Sequence, residues 1–127
     1  MDAKKLVLVV ILLTIFSTSI FAGSMSVTAH PGQRIDNTST TFTVSTNYFF
    51  LTLTHYSSIM ASPGNAFTQT RLDYDIILPE TAVGYNESSV TEDLPPGTYG
   101  IYLEAWLYYP ADGVVQAGSS WNIQIHK

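Results

Sequence analysis

The chain has 127 residues, a formal net charge of −5 and no cysteine. Zinc–thiolate sites, thiol redox chemistry and cysteine nucleophiles are therefore excluded, as are the disulfides that many small exported domains use to reinforce small cores. Five Lys and Arg residues oppose ten Asp and Glu, so the clustered basic surface that nucleic acid or anionic lipid requires is missing.

At the N-terminus, Lys4 and Lys5 precede an almost unbroken aliphatic run from Leu6 to Ile15. Ser17-Thr18-Ser19 and Ile20-Phe21-Ala22-Gly23-Ser24 follow. A basic end, a short apolar core and small residues make up the order of a secretory signal peptide. An apolar core of roughly ten residues is short against the roughly 20 that span a bilayer as a helix. The reading is a helical signal peptide over residues 1–22, with cleavage after Ala22 or as late as Ser24, and one domain over residues 23–127. About 105 residues suffice for one core but not two. Without the leader, Arg34, Arg71 and Lys127 oppose nine carboxylates, and no second long apolar stretch calls for a membrane.

Beyond the leader the hydrophobic period is two, broken by turn residues, which indicates strands. Met25, Val27 and Ala29 alternate with Ser26 and Thr28 up to His30-Pro31-Gly32, and a polar stretch runs from Gln33 to Ser39. Strands are predicted over Thr41–Thr46 and Tyr48–Tyr56, then a Pro-Gly loop at Pro63-Gly64. Phe67–Leu78 reads as one extended strand ended by Pro79, with Leu72, Tyr74, Ile76 and Leu78 on one face and Arg71, Asp73 and Asp75 on the other. Weak strands lie near Val83, Tyr85 and Val90. Leu94-Pro95-Pro96-Gly97 turns into the longest strand, Thr98–Tyr109, and Trp121, Ile123 and Ile125 alternate at the end. Seven or eight short antiparallel strands without helical spacing predict an all-β sandwich, jelly-roll-like in architecture. The expected core includes Phe42, Val44, Phe49, Leu51, Leu53, Leu72, Tyr74, Ile76, Tyr99, Ile101, Leu103, Trp121, Ile123 and Ile125.

Three segments carry a family resemblance: Asp73-Tyr74-Asp75-Ile76-Ile77-Leu78, Leu94-Pro95-Pro96-Gly97-Thr98-Tyr99 and Trp121-Asn122-Ile123-Gln124-Ile125. Over residues 41–127 the chain resembles the pre-peptidase C-terminal domain, a β-sandwich module found on exported proteases and other secreted proteins. The long strand after Tyr99 is more aromatic than that family's usual pattern. The resemblance implies a non-catalytic accessory or binding role.

Candidate chemistry is sparse. His30, His55 and His126 are far apart, with no His-x-His or His-Glu pair, and read as surface or hydrogen-bonded imidazoles. Gly-x-Ser-x-Gly is absent, so no serine triad is expected. Asp73 and Asp75, two apart on one strand face, are the candidate calcium ligands, provided loop carbonyls join them; no other cofactor is expected. Asn37-Thr38-Ser39 and Asn86-Glu87-Ser88 fit the N-glycosylation pattern and are placed in loops.

The long strand is the most informative element. Tyr99, Ile101, Leu103, Ala105 and Leu107 make a core face, which sends Tyr102, Glu104, Trp106 and Tyr108 outward unless the Glu80–Asp93 segment covers them. Aromatic rings with a carboxylate among them suit sugar rings, and Tyr and Trp equally suit a protein partner. The expectation is a secreted or cell-surface, non-enzymatic module that binds glycan, matrix or a cell-surface protein through that face. The alternative is a structural subunit of a filament or surface layer that assembles with copies of itself. There the segment Ser24–Ala29, tethered by about ten polar residues, would leave its own sandwich to complete a neighbour's sheet.

Overall fold

The computed structural model describes residues 19–45, 49–73 and 75–125. Eight strands account for nearly all of them: β1 (Ser19–Ala29), β2 (Ile35–Val44), β3 (Phe49–Met60), β4 (Ala66–Leu72), β5 (Ile76–Glu80), β6 (Gly84–Leu94), β7 (Gly97–Leu107) and β8 (Val114–Ile125). They form two four-stranded antiparallel sheets, ordered β1-β8-β3-β6 (sheet 1) and β2-β7-β4-β5 (sheet 2). The β-sandwich read from the period-two pattern is thus the fold, with no helix among the described residues. Residues 1–18 of the expected leader lie outside the described residues. Its last four, Ser19 to Ala22, open β1, where Phe21, Ala22 and Gly23 pair with Ile123, Asn122 and Trp121.

Alternation decides what each strand buries. Leu51, Leu53, Ile59, Ile101, Leu103, Leu107, Val115 and Ile123 are all less than 3% exposed. The core is divided in two. One cluster gathers Phe42, Val44, Leu51, Leu53, Leu72, Leu94, Ile101, Trp121 and Ile123, with Phe21, Ile76 and Tyr99 packed partly buried against it. The other gathers smaller residues, among them Val27, Ile59, Leu103, Ala105, Leu107 and Val115. Of the expected core, Phe49, Tyr74 and Ile125 are side chains outside the described set.

Between these clusters lies a buried polar layer. His55 is 1% exposed, and Ser57, Thr68, Thr70 and Ser119 are equally enclosed. Thr68 donates to Ser57 Oγ (2.9 Å), so its oxygen is left to accept the Nε2–H of His55 (2.8 Å). Nδ1 then accepts from the Thr70 hydroxyl (2.7 Å), and Thr70 in turn accepts from Ser119. Every member is satisfied, which is the condition for burying polar side chains without a large penalty. Burial pushes the His55 pKa down to about 4, against a smaller upward pull from Glu80, so the ring is neutral at physiological pH.

Several expectations about segments are corrected. Phe67–Leu78 is not one strand but the hairpin β4–β5, with Leu72 paired to Ile76. Asp73 sits at φ 48° and Asp75 N–H donates to Leu72 O (3.1 Å). Pro79 does not end a strand; it lies within β5, an edge strand, where a residue lacking an N–H is tolerated. The polar stretch after Gln33 becomes β2 from Ile35 onward. The tether between β1 and β2 is therefore only residues 30–34, pinned by mutual backbone hydrogen bonds between His30 and Gln33 (2.9 Å each). Asp36 Oδ2 also accepts the Thr28 N–H (3.0 Å), occupying a donor of edge strand β1, a common way to blunt an edge. The weak strands of the 80–93 region are one strand, β6, and it belongs to sheet 1. It cannot cover the outward residues of β7, which is a central strand of sheet 2.

Candidate functional site

β7 is flanked by β2 and β4, so the outward face of sheet 2 is a small grid. Across β2, β7 and β4 one row reads Ile35, Trp106, Phe67; the next Asn37, Glu104, Gln69; the next Ser39, Tyr102, Arg71. An apolar row thus borders a row of amides and a carboxylate, and that row borders one with a phenol and a guanidinium. Long aliphatic positions on the inner parity hold the strands in register, because a one-residue slip would turn every one of these side chains into the core.

Within the grid, Gln69 Nε2 donates to Glu104 Oε1. The Arg71 guanidinium lies over the Tyr102 ring, 4.2 Å from its centroid, and its Nη1 donates to Asp73 O (2.7 Å). The Tyr102 ring folds back along β7 over Gly100, where a Cβ would stand 2.8 Å from its hydroxyl and Cε2. A depression of about 290 Å³ opens over this part of β7, lined by Asn37, Ser39, Gln69, Arg71, Tyr102 and Glu104 among others. Polar groups from three strands converge there. The indole N–H of Trp106 is buried and has no acceptor among the described residues.

The expected row of three exposed aromatics is only partly present. Tyr102 is 36% exposed and has Arg71 on its ring, while Trp106 is half-buried between the Ile35 and Phe67 positions. Tyr108 is exposed but lies beyond the end of β7, where its N–H donates to Asn65 O (2.8 Å) and its carbonyl accepts from Arg34 (3.3 Å). The long strand ends at Leu107 rather than Tyr109. Asn37, Gln69 and Arg71, which sequence reasoning did not attach to the site, are supplied by the strands beside β7. Only the pairing register brings them in.

The other candidate residues are dispersed. Asp73 and Asp75 lie in the β4–β5 turn rather than on a strand face. Asp73 Oδ1 accepts the Gly100 N–H (2.9 Å), and Asp75 is exposed. Among the described residues no group of three or more His, Asp or Glu side chains is placed to hold a metal ion. Asn37 and Asn86 lie in β2 and β6, not in loops. Asn37 is exposed at the rim of the depression, so a glycan on it would obstruct the site, and Asn86 Nδ2 donates to Ala82 O (3.4 Å). His30 and His55 are at separate places in the fold, and His126 is outside the described residues.

No protein-family model matches the chain, and no curated protein matches it. Among solved structures, the pre-peptidase C-terminal domain of a collagenase from Bacillus anthracis is similar. The identity is 16% over 78% of this chain and 89% of that one, with a TM-score of 0.41. It is the kind of domain that the strand motifs resemble, and the likeness is weak. The chemistry of the site follows from this chain's own residues.

Proposed function

We propose that this is an exported, non-catalytic module that binds glycan on the outward face of sheet 2, at the depression around Tyr102 and Glu104. The observation that carries the reading is the convergence of Asn37, Gln69, Glu104 and Arg71 around one aromatic ring in a single depression. Amides, a carboxylate and a guanidinium match the paired hydroxyls of a sugar, and the ring offers an apolar face to its C–H side. A site on the outer face of a sheet suits a segment of polymer better than an enclosed small molecule, since ligand pockets for the latter bury most of the ligand. The leader-like N-terminus supports export.

The test is retention of the exported protein on immobilised neutral and acidic polysaccharides, comparing the unaltered chain with Tyr102→Ala and Glu104→Gln. At least one polysaccharide should retain the unaltered chain, and each substitution should weaken retention by about tenfold, the equivalent of about 1.4 kcal/mol, with unfolding unchanged. Retention of the variants equal to that of the unaltered chain would refute the assignment.

A further inference from the structure

The outward face of sheet 1 differs in chemistry from that of sheet 2. None of its four strands contains Lys or Arg. The outward positions of β3, β6 and β8 include Thr52, Thr54, Ser58, Ser89, Thr91 and Ser120, and four of these pair across strands: Thr52 with Thr91 (3.2 Å) and Thr54 with Ser89 (3.1 Å). Two tyrosines stand among them. Tyr56 on β3 stands beside Gly118 on β8, and Tyr85 on β6 stands beside Ser58 on β3. Together with Gln116 they line a cleft of about 190 Å³.

Both phenols are held. Tyr85 OH donates to Glu87 Oε2 (3.2 Å), and Tyr56 OH pairs with Ser120 Oγ (3.3 Å). Tyr85 is nonetheless 66% exposed, so its ring is positioned without being covered.

Gly118 is the telling residue. Glycine inside a strand weakens it, because it adds chain entropy and packs nothing. At Gly23 the fold demands it, since a Cβ would stand 2.6 Å from the Trp121 ring. At Gly118 it does not. A Cβ there would meet Met25 O at 3.5 Å and Tyr56 Cδ2 at 3.7 Å, ordinary contacts. Neither backbone nor packing requires the glycine; it leaves the β8 side of the Tyr56 ring bare, while Ser58 floors the space between Tyr56 and Tyr85.

We infer that the Tyr56–Gly118–Tyr85 cleft is a second binding site, on the face opposite the first, for a single neutral sugar ring. The two rings supply flat apolar faces, and the Gln116 amide and Ser58 hydroxyl supply donors and acceptors at the edges. The absence of any cation on these strands, with Glu87 alongside, excludes an anionic ligand. Tyr56 and Tyr85 are diagonal neighbours on adjacent strands, about 7–8 Å apart, a gap that takes one ring rather than a chain.

The inference shares the ligand class of the proposed function but rests on a different face, so the two are separable by residue-resolved titration. Amide shifts of the exported protein are followed on adding malto-, cello-, laminari-, manno- and chitohexaose separately. At least one should shift the amides of Ser58, Gln116 and Gly118 saturably. Tyr85→Ser, at an exposed position that cannot upset the core, should weaken that binding about tenfold, and Gly118→Val should abolish it. Tyr102→Ala should leave it unchanged. Shifts confined to the surroundings of Tyr102 and Glu104 would overturn the second site and leave the first standing. Shifts confined to the cleft would do the reverse, and no shifts with any of the five would overturn the cleft assignment. Equal binding by Tyr85→Ser would also overturn it.

Discussion

Acidification should destabilise this protein through His55. In the folded state its ring is neutral, its Nε2–H donating to Thr68 and its Nδ1 accepting from Thr70, and burial lowers its pKa from 6.5 to about 4. The unfolded chain keeps the ordinary value, so below pH 6.5 the unfolded state takes up a proton that the folded state refuses. Stability is then full above pH 6.5, falls as pH drops from 6.5 toward 4, and loses nothing further to this group below the folded value. A gap of this size corresponds to about 3 kcal/mol, a large share of the roughly 5–15 kcal/mol that holds a domain of this kind together. A proton on Nδ1 would face the Thr70 hydroxyl hydrogen, so Thr70 would have to turn its O–H away from the ring.

The assay is urea unfolding at pH 7.5, 6.5, 5.5 and 4.5, for the unaltered chain and for His55→Leu. That variant keeps the Thr68–Ser57 and Thr70–Ser119 hydroxyl pairs and adds no titratable group. The unaltered chain should lose about 2–3 kcal/mol between pH 7.5 and 4.5, most of it below pH 6.5, and His55→Leu should lose much less. Equal losses in the two chains, or a loss under about 0.5 kcal/mol in the unaltered one, would refute the neutral-histidine argument.

Two further expectations concern packing. Leu103 is 1% exposed in the second core cluster, so Leu103→Ala should cost about 2–5 kcal/mol by urea unfolding, and a change under about 1 kcal/mol would mean the inner face of β7 is misassigned. Phe21 stacks on Phe42 at 5.3 Å and on Trp121 at 6.0 Å between centroids. A chain beginning at Gly23 should therefore be about 1–3 kcal/mol less stable than one beginning at Ser19, and equal thermal unfolding of the two would show that the ring adds nothing to the core.

What could be read in the sequence was set by alternation, and so was what could not. β7 and the end of β8 are apolar or aromatic at every second position, and their inner faces follow from that alone. β2 hides because three of its inner-parity residues, Asp36, Thr38 and Thr40, are polar, and Asp36 is there to occupy a donor of β1. The β4–β5 turn hides for a subtler reason: three residues, 73–75, separate Leu72 from Ile76, an even step, so the hydrophobic parity runs on as though the strand had not turned. His55 shares its parity with Leu51, Leu53 and Ile59, which was the available sign that it lies inside. Its partners Thr68 and Thr70 come from the other sheet, beyond the reach of local pattern. The candidate site divides the same way. Tyr102 and Glu104 are legible on one strand, but Asn37, Gln69 and Arg71 join them through pairings between segments up to about 65 residues apart, which only the sheet order supplies.

The arrangement of the two faces has a mechanical consequence on the functional reading proposed above. Packed sheets lie about 10 Å apart, and their outer faces point in opposite directions. A polymer lying on the Tyr102 depression therefore cannot bend around to the Tyr56–Gly118–Tyr85 cleft of the same molecule without leaving one of them. Two occupied faces would bring two different chains, or two distant parts of one chain, to either side of a thin rigid slab. Rigidity matters here, because any slack between the sites would lower the effective concentration that makes double attachment stronger than single. The satisfied His55 layer ties β3 and β8 of one sheet to β4 of the other at the middle of the slab, with hydrogen bonds that have direction where apolar contacts have none. Acidification would thus loosen the tie between the faces at the residue that joins them.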